Sequence, residues 1–240
     1  MASNEISAPA ERRHRQPRRK PRRRKHGMLL LPLALLSALA LLAGGVVTYL
    51  LWPLWPEPVR VDAPALPITV SGVTFNVLPA AIRAPVQRRP GAQERVDLAY
   101  QWPTLTPPEP TTKSTTPGER LFVTIARDDG KLPPAERLKT IYPRYLTGGA
   151  TDGPNGLVTQ PFRDGTPYQG EDLVYQASAP ERFFARCTRA AGPRPGTCLS
   201  ERRIGGADLT FRFPREWLTQ DSTVSAGIER LITQLRPLGG

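Results

Sequence analysis

Histidine is nearly missing from this chain. The 240 residues contain two, His14 and His26, and neither lies beyond position 26. A Ser-His-Asp triad, a Cys-His pair, an ordinary zinc hydrolase centre and a histidine proton shuttle are therefore excluded from everything downstream. Cysteine is just as scarce. Cys187 and Cys198 are the only two, too far apart for a Cys-x-x-Cys redox motif and too few for a zinc site. Asparagine occurs only at Asn4, Asn76 and Asn155, and none begins an Asn-x-Ser/Thr glycosylation site. With arginine heavily preferred over lysine, this favours a bacterial periplasm over a secretory-pathway lumen.

Charge is also missing, from Gly27 to Pro56. A bilayer core of about 30 Å needs roughly 20 apolar helical residues, and Met28 to Leu51 supplies them. Pro32 falls near the helix start, where an absent N–H costs little. Trp52 and Trp55 follow at the level where amphipathic rings settle among headgroups. A cleavable signal peptide has a shorter apolar region with a small-residue site just beyond it. Here the Ala-x-Ala match Ala38-Leu39-Ala40 lies inside the apolar run rather than just beyond it. No cysteine stands at its end to carry a lipoprotein anchor. The expectation is an uncleaved transmembrane anchor over 28–52.

What precedes the span sets its direction. Residues 1–27 hold ten basic and two acidic side chains. The segment just after the span holds only Arg60. Basic flanks stay cytoplasmic, so 1–27 is expected inside and the rest outside. This tail carries +8 of the formal +12. It has no aromatic residue to stack on bases. It is therefore expected to rest on anionic lipid headgroups, with no nucleic acid as partner.

Beyond the span, Pro53 to Pro67 holds five prolines and is expected to be a stiff linker over 53–67. Residues 68–240 are expected to form one periplasmic α+β domain, two-layered, with a mostly antiparallel sheet. Val96, Leu98, Tyr100 and Trp102 alternate with Asp97, Ala99 and Gln101, the two-residue period of a half-buried strand. Leu121, Val123 and Ile125 repeat the pattern, as do Leu209, Phe211 and Phe213. Ser71-Gly72 interrupts another alternating run and suggests a bulge or tight hairpin. Two longer hairpins are expected, 157–162 with 173–176 and 182–188 with 198–204. The second would carry a Cys187–Cys198 disulfide near its tip, which oxidising compartments allow. The Pro/Thr-rich stretch 103–118 has too few apolar residues to pack and reads as a mobile loop.

Two helices are expected. Pro133-Pro134 opens one, with Leu138, Ile141, Tyr142 and Tyr145 on one face and Pro143 kinking or ending it. The other is amphipathic and C-terminal. Val224, Ile228, Leu231, Ile232 and Leu235 form its apolar stripe, and Pro237 stops it.

Candidate chemistry is thin. Asp128-Asp129-Gly130 and Asp152 to Gly156 read as turns, and neither matches a calcium loop. Glu171-Asp172 opens a strand. Paired-carboxylate catalysis needs a cleft that spacing does not reveal. Lys113-Ser114 lies in the Pro/Thr stretch, where a catalytic dyad would not be held rigidly. Arg202, Arg203, Arg212 and Arg215 cluster late in the chain. They are candidate contacts for an anion, or else partners of Glu201, Asp208 and Glu216. No cofactor, metal site or catalytic residue is assigned. The expected role is a non-catalytic, bitopic inner-membrane accessory or assembly subunit that binds another envelope protein. The alternative is a periplasmic ligand-binding module for lipid, cell-wall polymer or a small molecule.

Overall fold

Helix α1 runs from Gly27 to Leu51 with Pro32 inside it. It is the one described helix long and apolar enough to cross a membrane. Its described side chains, residues 32–50, are exposed. Leu33, Leu36, Leu39 and Leu42, spread from one side of the helix to the other, stay about two-thirds exposed, 66%, 65%, 66% and 68%. The computed structural model describes residues 27–51, 59–60, 62–108, 119–190, 195–220 and 224–236. The basic tail 1–26, Trp52, Trp55 and linker residues 53–58 and 61 lie outside them.

The chain divides into two units, Met1–Trp55 and Pro56–Gly240. The second is built on strands. β1 (Leu66–Val70) and β2 (Val73–Val77) form a hairpin through Ser71 and Gly72. Both turn residues have positive φ, 50° and 80°, as a two-residue type I′ connection requires. The slip in the alternation is therefore a tight hairpin. β1 begins at Leu66, inside the stretch expected as linker. Pro67 is accommodated at the strand's start, where a missing N–H is tolerated. β3 (Gly91–Ala92) adds to β1 in parallel, giving the order β2-β1-β3.

The main sheet has eight strands. They are β4 (Arg95–Gln101), β5 (Arg120–Arg127), β6 (Thr151–Asp152), β7 (Leu157–Pro161), β8 (Glu171–Gln176), β9 (Phe184–Thr188), β10 (Thr197–Ile204) and β11 (Ala207–Pro214). Their spatial order is β4-β5-β11-β10-β9-β8-β7-β6, and every pairing is antiparallel. β11 inserts between β5 and β10, so only tertiary pairing unites the two meanders.

Alternation gives the sheet two faces, covered at opposite ends. One face carries Val96, Leu98, Tyr100, Leu121, Val123, Ile125, Leu209, Phe211 and Phe213, all 3% exposed or less. The small sheet and α4 (Val224–Leu235) join this cluster. α4 packs beside β2, burying Val224, Ile228, Leu231, Ile232 and Leu235. The second layer is thus part sheet and part helix. α3 (Trp217–Gln220) places Trp217 on Trp102, ring centroids 4.8 Å apart. A Cβ on Gly227 would sit 2.5 Å from the Trp102 ring, so glycine is what lets α4 close over that indole.

The opposite face is covered near β7–β9. α2 (Pro134–Glu136) continues as a π-helical stretch, Arg137–Ile141, and a 3₁₀ turn, Tyr142–Arg144. Pro143 has no N–H for an α-helical bond, and the chain widens just before it and tightens just after. Leu138, Ile141, Tyr142 and Tyr145 share one cluster with Phe162, Tyr168, Leu173 and Phe184.

The Pro/Thr stretch departs from expectation at its start. Leu105 is 5% exposed and belongs to the main core. Its N–H donates to the Gln101 carbonyl, and the Gln101 N–H to Thr106. One leucine and the buried Pro107 suffice to fold 103–108 back against β4, so this part packs. Residues 109–118 lie outside the described residues, and with them Lys113-Ser114.

Candidate functional site

Cys187 and Cys198 face each other directly across β9 and β10, and they form a disulfide with Cα atoms 4.0 Å apart. Both are fully buried. Beside the bridge lies the one buried carboxylate among the described residues, Asp172, which pairs in register with Cys187. Arg189 reaches one of its oxygens at 2.8 Å and Arg215 the other at 2.5 Å. A buried carboxylate needs such partners, since isolated charge in a protein interior is costly. The two arginines follow β9 and β11. The disulfide and this clamp therefore secure the same end of the β8–β11 meander.

The four candidate anion contacts separate. Arg215 is committed to Asp172 rather than Glu216. Arg202 donates to Glu229 on α4 at 2.7 Å and to the Glu181 carbonyl at 3.0 Å. Arg203 binds two carboxylates, Asp208 from Nε at 2.6 Å and Asp128 from Nη1 at 2.9 Å. The hydrogen bond to Asp208 holds its guanidinium above the ordinary arginine value. Arg212 alone, exposed on β11, makes no ion pair among the described residues. Glu201 turns the other way and pairs with Arg137 at 3.0 Å, beside the Tyr142 hydroxyl.

Asp128, Asp129 and Asp208 bring carboxylate oxygens within 4.8 Å of one another. Arg203 lies on two of them and Lys131 on the third. The chain supplies its own positive charge there. Asp128 also accepts the Gly130 N–H at 2.8 Å, so the segment is the turn that its sequence suggests.

Two features of the site were not visible in the sequence. The first is a cleft of about 600 Å³ between the helical segment and the β7–β8 strands. Leu138, Pro143, Leu146, Leu173, Tyr175 and Pro180 line it, with Lys139 and Glu181 paired at 2.7 Å along it. The second is the half of the outer sheet face that the helical segment leaves uncovered. There Phe122 points away from the core between Leu121 and Val123. Arg212 is its register partner on β11. The Arg83 guanidinium lies 4.8 Å from the Phe122 ring centre. Phe122 was the readable signal, an aromatic residue at an outward position of an alternating strand.

Nearby, Asp97 accepts hydrogen bonds from Arg95, Thr124 and Gln87. Burial pushes the carboxyl up, but these donors outweigh it and hold its pKa down at about 2.

No protein-family model matches the chain, and no curated protein matches it in sequence. Solved structures do resemble it in fold. Smlt3025, an immunity protein of the Stenotrophomonas maltophilia type IV secretion system, superposes with a TM-score of 0.51 at 13% identity. The match covers 73% of this chain and 94% of that one. FrpD, an iron-regulated outer membrane lipoprotein of Neisseria meningitidis, gives a TM-score of 0.45 at 13% identity, over 75% of this chain and 96% of FrpD. At such identity the first likeness establishes a shared fold: an antiparallel sheet with a few helices.

Proposed function

We propose that this is a bitopic inner-membrane protein whose outer unit is a non-catalytic binding domain, an accessory or assembly subunit for another envelope protein. The observation that carries the reading is helix α1. It exposes leucines on every side, as a helix does when lipid is its partner. The basic tail before it favours an inside amino terminus. The buried disulfide in the second unit fits an oxidising exterior. The absence of histidine beyond position 26 removes the commonest catalytic centres. The fold shared with an immunity protein of a secretion system is consistent with an envelope accessory protein.

The test is in two parts. A reporter active only in the periplasm, fused after Gly240, should be active, and the mature chain should keep its amino terminus. Mild crosslinking of the native protein should then recover a reproducible protein neighbour. Repeated recovery of the chain alone would overturn the binding role.

The cleft of about 600 Å³ favours a second reading, a module for a small amphipathic ligand. Its volume falls within the usual range for ligand sites, its walls are mostly apolar, and a few polar groups converge on it. A Leu173→Trp variant that stays folded should lose such a ligand; unchanged ligand content in extracted protein would remove this reading.

A further inference from the structure

We propose that the uncovered half of the outer sheet face, centred on Phe122 with Arg83 and Arg212 beside it, is the docking surface for an acidic segment of a partner protein. The proposal rests on the binding role above and names the chemistry of the partner.

Several described arginines, Arg230 among them, hold no carboxylate, and the convergence of two such arginines on one aromatic ring carries the proposal. Arg137, Arg186, Arg189, Arg202, Arg203 and Arg215 all hold carboxylates of this chain. Arg83 and Arg212 hold none among the described residues, and both are exposed. They flank the same outward aromatic ring and line the same hollow of about 210 Å³. Thr124 and Thr210 form its floor with Asp97.

Asp97 does not spoil this complementarity. Its oxygens already accept three bonds from the Arg95 guanidinium, between 2.8 and 3.1 Å. Their charges offset each other, and Arg83 and Arg212 remain in excess. Glu216 borders the adjoining hollow with Arg212 but makes no ion pair with it. Two guanidinium groups around a half-buried ring match carboxylates that flank an apolar side chain. Arginine forks suit carboxylates geometrically, and arginine and aromatic residues dominate interface energetics.

The full chain in detergent is titrated with a fluorescein-labelled peptide rich in Glu around one Phe, and with its Gln counterpart. The Glu peptide should bind and the Gln peptide should not. Arg83→Gln with Arg212→Gln should weaken binding about tenfold, with melting unchanged because both side chains are exposed. Arg230→Gln, an exposed charge on α4, should leave affinity alone. Phe122→Ser gives a second, charge-neutral variant and should also weaken it. Equal loss with Arg230→Gln, or no binding of the Glu peptide, overturns the surface. Phosphatidylglycerol vesicles bound through Arg83 and Arg212 in place of the peptide would also overturn it, since they assign the site to lipid. In cells, a photocrosslinker is placed at position 122 or at 234. A protein neighbour from 234 but not from 122 overturns the surface and leaves the accessory role standing. No neighbour from either overturns both.

Discussion

The two buried clusters of the outer unit are made of different material. The larger one, between the main sheet and the β1–β3 sheet with α4, is mostly aliphatic. Its strands carry Val, Leu, Ile and Phe at every second position, and burial is close to complete. The smaller one, under the helical segment, is aromatic. Tyr142 meets Phe162, Tyr168 and Phe184 edge-on, with centroids 5.7, 5.3 and 6.4 Å apart. Charged groups ring it. Arg186 lies over Tyr168 and pairs with Glu171, while Arg137 pairs with Glu201 beside Tyr142. The first is held by area removed from water, the second by geometry and by charges kept partly dry. They should therefore fail in different ways.

Phe211→Ala should produce the largest effect, toward the upper end of about 3–5 kcal/mol. Phe162→Ala should fall toward the lower end, because half-exposed tyrosines around it are able to close in. Denaturant titration of each variant tests the ranking, and an inverted order would break the contrast. Replacing both cysteines with alanine should cost about 3 kcal/mol in the loop-entropy account. That loss belongs to the β9–β10 end, so proteolysis should begin between Thr188 and Thr197.

Glu201→Ala comes next, at about 2 kcal/mol, because Arg137 and Glu201 are only 18% and 20% exposed. Added salt should change this cost little, unlike that of a surface pair. A cost that vanishes in high salt would mean the smaller cluster is not dry. The smallest effect concerns Asp97, on the open half of the outer face. Its folded pKa, about 2, lies below the ordinary 3.8. The stability it contributes is present above the ordinary value and is lost as pH falls through about 2. Asp97→Asn should therefore flatten the acid limb of the melting curve between about pH 4 and about pH 2. The gain or loss should stay under about 1 kcal/mol, as for other solvent-reached ion pairs.

The difference between the clusters also explains what could be read in advance. Period-two alternation exposes a strand's core face directly, so Val96 to Tyr100, Leu121 to Ile125 and Leu209 to Phe213 were legible. The helical stripe from Val224 to Leu235 was legible by its spacing, and the structure buries those residues. The smaller cluster was half legible. Leu138, Ile141, Tyr142 and Tyr145 shared a face on paper, but nothing local said that Phe162, Tyr168 and Phe184 would meet them. Among the arginines, Arg203 found the acid expected for the group, Asp208. Arg202 and Arg215 found Glu229 and Asp172 instead, residues far away in sequence. Leu105 and Pro107 were hidden by composition, because two buried side chains do not alter the polarity of a long Pro/Thr segment.

Sequence alone determined the apolar helix, the strands and the absence of histidine chemistry beyond the tail. These depend on residue identity and on spacing over a few positions, where solvent preference and backbone geometry act locally. Tertiary structure decided that β11 lies between β5 and β10, that the acids of Asp128, Asp172 and Glu229 belong to Arg203, Arg215 and Arg202, and that Arg83 and Arg212 are left over beside Phe122. Charge pairing acts through space at a few ångströms, and the fold decides which distant residues come that close.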